Sequence, residues 1–133
     1  MDLQNYSVEF EAHCERYYIK SFEKKYKGAW LKTKDDLVEV CRRIDLMLEY
    51  RRADLIASVD QYKLVKLDFA VEGTQISPKR SGNRCILFID EELRSVKILL
   101  VYSKNDISDP NETAKWKSDV KSNFSDIATI FSL

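Results

Sequence analysis

The residue types best suited to chemistry in this chain lie between positions 77 and 104. A loop rich in lysine and arginine leads into an apolar segment, and a second apolar segment ends in a tyrosine followed by a lysine. The six candidate residues are Lys79, Arg80, Asn83, Arg84, Tyr102 and Lys104. Guanidinium groups bind phosphodiester oxygens in a fork and a tyrosine ring stacks on a base, so this cluster suits a nucleic-acid backbone. A charged loop whose arginine pairs with a nearby carboxylate explains the same residues equally well.

Two predicted strands bring these residues to one end of a sheet. Arg84–Asp90 is almost entirely apolar, as a central strand covered on both faces would be, and Val96–Tyr102 is a second apolar strand. In a hairpin that turns near residues 91–94, paired positions sum to about 186, which sets Arg84 opposite Tyr102. We therefore expect the loop cations, Arg84, Tyr102 and Lys104 to converge at this end of the hairpin.

Other segments are predicted to supply two further strands and a first helix. Alternating apolar residues indicate strands over Tyr6–Ala12 and Lys63–Val71. Between them, apolar residues recur every three to four positions over 14–26, which predicts a helix that Gly28 ends. The outer side of this helix is basic, with Lys20, Lys24 and Lys27, and is either a solvated surface or a docking surface for an acidic partner.

Capping patterns predict two more helices. A Thr-x-x-Asp motif at 33–36 starts the second helix, which runs to about Tyr50. The third helix is predicted to have Asp109 as its N-cap, Pro110 as its first residue and Glu112 as the reciprocal carboxylate. Its apolar stripe consists of Trp116, Val120 and Phe124. The predicted fold class is α+β, with an antiparallel sheet of about four strands, the helical hairpin 14–50 on one face and a C-terminal helix.

The C-terminal part is predicted to be an addition to a single domain that spans residues 1–133. Residues 108–133 supply the third helix and an apolar tail. The apolar residues of this tail are Ile127, Ile130, Phe131 and Leu133. We expect the tail either to dock on the chain's own sheet or to form a surface that another chain covers.

Composition excludes several classes of protein. Of the 133 residues, 44% are apolar and 33% charged, with a net charge of zero, which is typical of a globular domain. There is no apolar run of membrane-spanning length and no apolar signal core, so we expect a cytosolic protein. Cys14, Cys41 and Cys85 have neither disulfide nor zinc spacing and are expected to be buried. With one histidine and no phosphate-binding glycine motif, the sequence predicts no metal or cofactor.

Five segments follow one another in a recognisable order: YYIKSFEKKY, KLVKLDF, SGNRCILFIDEE, VKILLVYSKNDI and NETAKWK. With the N-terminal strand, they resemble the RelE/ParE superfamily of bacterial toxin–antitoxin toxins over residues 5–124. Ribonucleases of that family cleave mRNA with basic residues and a tyrosine on a small antiparallel sheet, without a metal. Arg84 matches the arginine that opens the family's central strand, and Lys104 matches the basic residue after the next strand. Lys79 and Arg80 match a basic loop.

The resemblance implies the toxin of a type II toxin–antitoxin pair, which cleaves mRNA on the ribosome and is bound by a cognate antitoxin. In such an enzyme Lys79 or Lys104 helps to activate the 2′-hydroxyl group, Arg84 stabilises the phosphorane, and Tyr102 stacks on or orients the nucleotide. Arg80 and Asn83 are the expected RNA contacts. The alternative is a non-catalytic module of this scaffold that binds or inhibits a protein, which the sequence pI of about 6.6 favours because such ribonucleases are usually basic.

Overall fold

The computed structural model describes residues 5–71, 75–103 and 112–133, except for the side chains of Tyr17, Tyr18, Ser21 and Lys79. Its elements are a short N-terminal strand, a run of helices, four further strands with a helical turn between them, and two C-terminal helices. Helices thus stand before and after the main strands, an order that indicates an α+β fold. The predicted cap residues Asp109 and Pro110 lie outside the described residues.

Five strands form one sheet in the order β1-β5-β4-β3-β2. The strands are β1 (Ser7–Phe10), β2 (Ala53–Val59), β3 (Tyr62–Asp68), β4 (Asn83–Asp90) and β5 (Ser95–Ser103). All neighbouring strands are antiparallel except β1 and β5, which are parallel. Every residue of β4 is buried, which confirms the prediction of a central strand covered on both faces.

The sheet contains one strand and one parallel pairing more than the sequence predicts. The additional strand is β2, an edge strand in which a bulge between Leu55 and Ala57 breaks the alternation. Leu55 and Val59 are also exposed on this edge strand, so β2 lacks the regular apolar pattern of a half-buried strand. β1 runs parallel to β5, a pairing that the long stretch of chain between them allows and that a tight hairpin turn would not.

The N-terminal helices cover one face of the sheet. They are α1 (Ala12–Cys14), α2 (Lys20–Tyr26), α3 (Gly28–Arg42) and α4 (Ile44–Glu49), with a π-helical segment (Glu15–Ile19) joining α1 to α2. Side chains of α3 and of β4 form the centre of this core: Trp30, Leu37, Cys41, Cys85, Leu87 and Ile89. The predicted helical hairpin on one face is therefore confirmed.

The boundary between the two helices of this hairpin differs from the prediction. The chain turns at Lys27, whose φ is 48°, and Gly28 begins α3 instead of ending the first helix. Thr33 lies inside α3, where its Oγ1 donates a 2.9 Å hydrogen bond to the carbonyl of Ala29. The predictions that Gly28 ends one helix and that Thr33 caps the next are therefore wrong.

The C-terminal helices α6 (Glu112–Asn123) and α7 (Ser125–Ile130) cover the opposite face. The apolar residues that meet there are Trp116, Val120, Ala128 and Phe131 on the helical side, and Ile86, Phe88 and Leu100 on the sheet. Phe131 packs edge-on against Phe88, with 6.0 Å between the ring centroids. The tail thus docks on the chain's own sheet, as the first of the two expectations has it, while Ile127, Ile130 and Leu133 remain partly exposed.

The three cysteines are free thiols in the core between the N-terminal helices and the sheet. Cys14, Cys41 and Cys85 are completely buried, as the sequence predicts. Burial raises the pKa of Cys41 to about 12, so its thiol stays protonated at physiological pH. These residues act as small apolar side chains.

Candidate functional site

Three polar side chains form a row across one end of the sheet, on the face that α6 and α7 cover. Asp68 of β3 is paired with Arg84 of β4, and Arg84 is paired with Tyr102 of β5. Directly opposed residues of antiparallel strands project to the same face, with Cβ atoms about 5 Å apart. We call these three residues the Arg84 row. The pairing of Arg84 with Tyr102 is the one predicted from the hairpin register.

The guanidinium group of Arg84 is buried between two carboxylates. Its Nε lies 3.0 Å from Oδ1 of Asp68 and 4.0 Å from Oε2 of Glu112, the first residue of α6. Its Nη1 donates a 3.2 Å hydrogen bond to the carbonyl of Asn83. The side chain is only 9% exposed, and a cation so deeply buried requires charged partners because its desolvation costs several kcal/mol. The alternative that the sequence leaves open, an arginine paired with a nearby carboxylate, is confirmed.

The hydroxyl group of Tyr102 donates a 2.6 Å hydrogen bond to Oε2 of Glu112. Burial raises the pKa of Tyr102 well above its usual range, and the hydrogen bond to the Glu112 carboxylate raises it further. Tyr102 therefore keeps its proton at physiological pH. Its chemistry is that of a hydrogen-bond donor with an aromatic face, and it cannot act as a general base.

The charge of this cluster is negative, since one guanidinium group is shared by two carboxylates. Burial raises the pKa of Asp68 above its usual range, Arg84 opposes this rise, and the carboxylate of Glu112 adds to it. With all three groups ionised, Asp68, Arg84 and Glu112 carry a net charge of −1. In this conformation the row repels anions.

The other predicted site residues have different surroundings. Asn83 is buried next to Arg84, and its Oδ1 has no hydrogen-bond partner among the described residues. Arg80 is exposed on the helical turn α5 (Pro78–Ser81), and its backbone N–H donates to the Oγ of Ser77 at 3.4 Å. The side chain of Lys79 and all of Lys104 lie outside the described residues. The described contacts thus bring together Arg84 and Tyr102, with Asn83 adjacent.

Sequence reasoning missed the two acidic members of the cluster. Asp68 lies in the strand predicted over 63–71, but the long connection to Arg84 does not fix the register, and only the structure shows that positions 68 and 84 are paired. Glu112 was expected to cap its own helix, whereas its carboxylate accepts a hydrogen bond from the hydroxyl group of Tyr102. The contact between Glu112 and the sheet depends on how α6 packs, for which local sequence contains no signal.

Comparisons with known proteins match this chain at the level of structure alone. No family model matches it, and no curated protein matches it. Among solved structures, it is similar to a chain of the crystal structure of the archaeal RelE-RelB complex from Pyrococcus horikoshii OT3. The TM-score is 0.48 at 13% sequence identity, and the match covers 75% of this chain and 96% of that chain.

A second tyrosine–glutamate pair lies at the opposite end of the sheet. The hydroxyl group of Tyr6 donates a 2.5 Å hydrogen bond to Oε2 of Glu91, and Nζ of Lys63 lies 2.8 Å from Oε1 of the same carboxylate. Although burial acts in the other direction, these two hydrogen bonds lower the pKa of Glu91. Arg94 lies over the ring of Tyr6, 4.4 Å from its centroid. This cluster connects the chain just before β1 to β3 and to the β4–β5 turn, which is a structural role.

Within residues 5–71, 75–103 and 112–133, no group of His, Cys, Asp and Glu side chains is arranged to hold a metal ion. In the same ranges, no helix is long and apolar enough to cross a bilayer.

Proposed function

We propose that this protein is a RelE/ParE-type toxin of a type II toxin–antitoxin pair, acting in the cytoplasm as a metal-independent endoribonuclease on mRNA at the ribosome. The observation that carries this proposal is the cross-strand pair of Arg84 and Tyr102, close in sequence to Lys79, Arg80 and Lys104. A guanidinium group and a phenol on one face can bind a phosphodiester and the base beside it. The order of the five segments supports the same assignment.

In the proposed reaction, the 2′-oxygen of a nucleotide attacks the adjacent phosphorus, and the bond from phosphorus to the 5′-oxygen of the next nucleotide breaks. Lys79 or Lys104 helps to remove the 2′-hydroxyl proton, and water supplies a proton to the departing 5′-oxygen. Arg84 stabilises the additional negative charge of the phosphorane. Because its pKa is raised, Tyr102 remains protonated and orients the nucleotide by donation or by stacking.

A cognate antitoxin is the proposed protein partner. Lys20 and Lys24 are exposed on α2 and Lys27 is exposed at the turn that follows it, which supports binding of an acidic segment. Association through such a surface weakens as salt screens the charges. Of the apolar tail, Phe131 is buried against the sheet, so the proposed antitoxin surface is assigned to these lysines.

Induced expression in a bacterium tests the ribonuclease function. We expect the wild-type protein to arrest growth and fragment mRNA, and Arg84→Lys to lose activity by a factor on the order of a hundred, because a lysine cannot form the guanidinium fork. Arg52→Ala, which removes an exposed cation before β2, is the matched control and should behave as the wild type. Intact mRNA and normal growth with soluble wild-type protein would contradict the proposal.

The second candidate function is a non-catalytic module that binds a protein target. It is favoured by the neutralised state of Arg84, whose side chain is 9% exposed and bound to Asp68. For such a module, we expect the cellular effect to survive Arg84→Lys and to disappear when Lys20 and Lys24 are both changed to Glu. Arg84→Lys thus separates the two proposals, because it should strongly reduce mRNA cleavage by a ribonuclease and leave the effect of a binding module intact.

A further inference from the structure

We infer that the carboxylate of Glu112 occupies an anion-binding site on the Arg84 row and inhibits the protein until RNA displaces it. Residues 112–133 form a cap that holds this carboxylate in place. We call residues 112–133 the C-terminal cap. The inference rests on the proposed function for the identity of the displacing ligand. It adds a self-inhibited state to that function.

The contacts of Glu112 are those that a phosphodiester oxygen would make at this site. Its Oε2 accepts a 2.6 Å hydrogen bond from the hydroxyl group of Tyr102 and lies 4.0 Å from Nε of Arg84. Carboxylates and phosphodiesters are both oxyanions that arginine and phenol donors recognise. The distance to Arg84 is too long for a hydrogen bond, so an anion that approached more closely would be held better.

The charge balance changes when Glu112 leaves. With Glu112 in place, one guanidinium group faces two carboxylates, and a second anion is repelled. Without it, Arg84 is balanced by Asp68 alone, and the repulsion disappears. A single carboxylate therefore decides whether the row repels an RNA backbone or is neutral toward it.

The C-terminal cap is held to the sheet by side chains. Among the described residues, no backbone hydrogen bond joins residues 112–133 to the rest of the chain, and all of those recorded outside the helices run within the cap itself. The cap is attached by its apolar residues, by the contacts of Glu112, and by an edge-on contact of Phe124 with His13 at 5.6 Å. The first turn of α6 can consequently shift without breaking the backbone hydrogen bonds of the sheet.

Binding of a fluorescein-labelled single-stranded RNA 12-mer, measured by anisotropy on the full-length protein, tests this inference. We expect Glu112→Gln to bind on the order of tenfold more tightly than the wild type, because the repelling charge is removed while an oxygen remains to accept from Tyr102. Asp126→Asn changes the net charge equally at an exposed position of α7, and its affinity should stay within twofold of the wild type. The gain should vanish in the double variant Glu112→Gln with Arg84→Lys.

The outcomes separate this inference from the proposed ribonuclease function. Equal effects of Glu112→Gln and Asp126→Asn would overturn the inference, since a general charge effect would then explain both. Tighter binding by Glu112→Gln without any mRNA cleavage would uphold the occupant site and refute the nuclease. If the wild type and Glu112→Gln cleaved mRNA at equal rates and in a way that depends on Arg84, the nuclease would be upheld and the inference about Glu112 would be refuted.

A second variant provides a control in case Glu112→Gln does not fold. Glu112→Ser removes the same charge and supplies a hydroxyl group suited to a helix start, so it should reproduce the gain in RNA affinity. Thermal unfolding of each variant shows whether the fold persists. If neither variant folds, Glu112 is a structural requirement of the core and the inference is overturned.

Discussion

Tyr102 faces Arg84 across the β4–β5 hairpin, yet its hydroxyl group donates its hydrogen bond to Glu112, ten residues further along the chain. This bond connects the sheet to the first turn of α6 at 2.6 Å. Because the same carboxylate also faces the guanidinium group of Arg84, the packing of α6 determines both the hydrogen bonding and the charge of the row. The stability and the proposed chemistry of this end of the sheet are therefore coupled.

Tyr102→Phe should lower the free energy of unfolding by about 1–3 kcal/mol, because it leaves a partly buried carboxylate without its donor. Urea denaturation followed by circular dichroism measures this change. The matched control is Tyr62→Phe. Tyr62 stacks on Phe88 at 5.5 Å and its hydroxyl group has no hydrogen bond recorded among the described residues, so we expect a change below about 0.5 kcal/mol. Equal effects of the two substitutions would contradict the importance of the Tyr102–Glu112 bond.

Arg84→Ala should destabilise the fold by about 3–5 kcal/mol, because Asp68 and Glu112 would remain partly buried without their shared cation. The comparison variant is Arg42→Ala, which removes an exposed pair with Glu39 at 3.6 Å and should cost less than about 1 kcal/mol. Equilibrium unfolding in guanidinium chloride measures both. A cost for Arg84→Ala no greater than that for Arg42→Ala would show that the buried ion pair does not stabilise this protein.

Acidification should destabilise the protein through His13. Burial lowers the pKa of His13, Asp119 opposes this shift and Arg16 adds to it. Because the unfolded chain then binds a proton more readily than the folded protein, the stabilising contribution of neutral His13 is complete above pH about 6.5 and is lost as the pH falls through the lower folded pKa. Unfolding free energies measured between pH 7.5 and 5 should show this decline, and His13→Gln should flatten it. An unchanged pH profile in His13→Gln would exclude this residue as the cause.

Phe131→Ala should lower the free energy of unfolding by about 3–5 kcal/mol, since Phe131 is 8% exposed and packs against Phe88. Leu31→Ala removes an apolar side chain that is 66% exposed and should change the stability by less than about 0.5 kcal/mol. Thermal and chemical denaturation of the two variants measure these changes in stability. Wild-type stability in Phe131→Ala would mean that the tail does not belong to the core.

Local sequence patterns were enough to predict the central strands of the sheet. The apolar run after Arg84 and the following strand form a hairpin, so Arg84 and Tyr102 could be placed opposite each other to within one residue. The exact pair depends on a register shift between Ile86 and Leu87, because the turn itself pairs Asp90 with Ser95. The faces of β3 could likewise be assigned, because Val65, Leu67 and Phe69 alternate with polar residues and pack in one core. β2 escaped prediction because the bulge at Leu55 interrupts its alternation and leaves apolar residues exposed at a sheet edge.

The chemistry of the site was decided by contacts between distant parts of the chain. The sequence by itself supplied a cation and a phenol at one end of a hairpin, together with an amphipathic third helix. Only the tertiary structure determined that this helix lies over the same end of the sheet and turns Glu112 toward Tyr102 and Arg84. The physical reason is that apolar burial of Trp116 and Val120 sets the position of α6, and hydrophobic packing does not discriminate between charges nearby. The charge on the Arg84 row is therefore a consequence of packing on a face that local sequence does not specify.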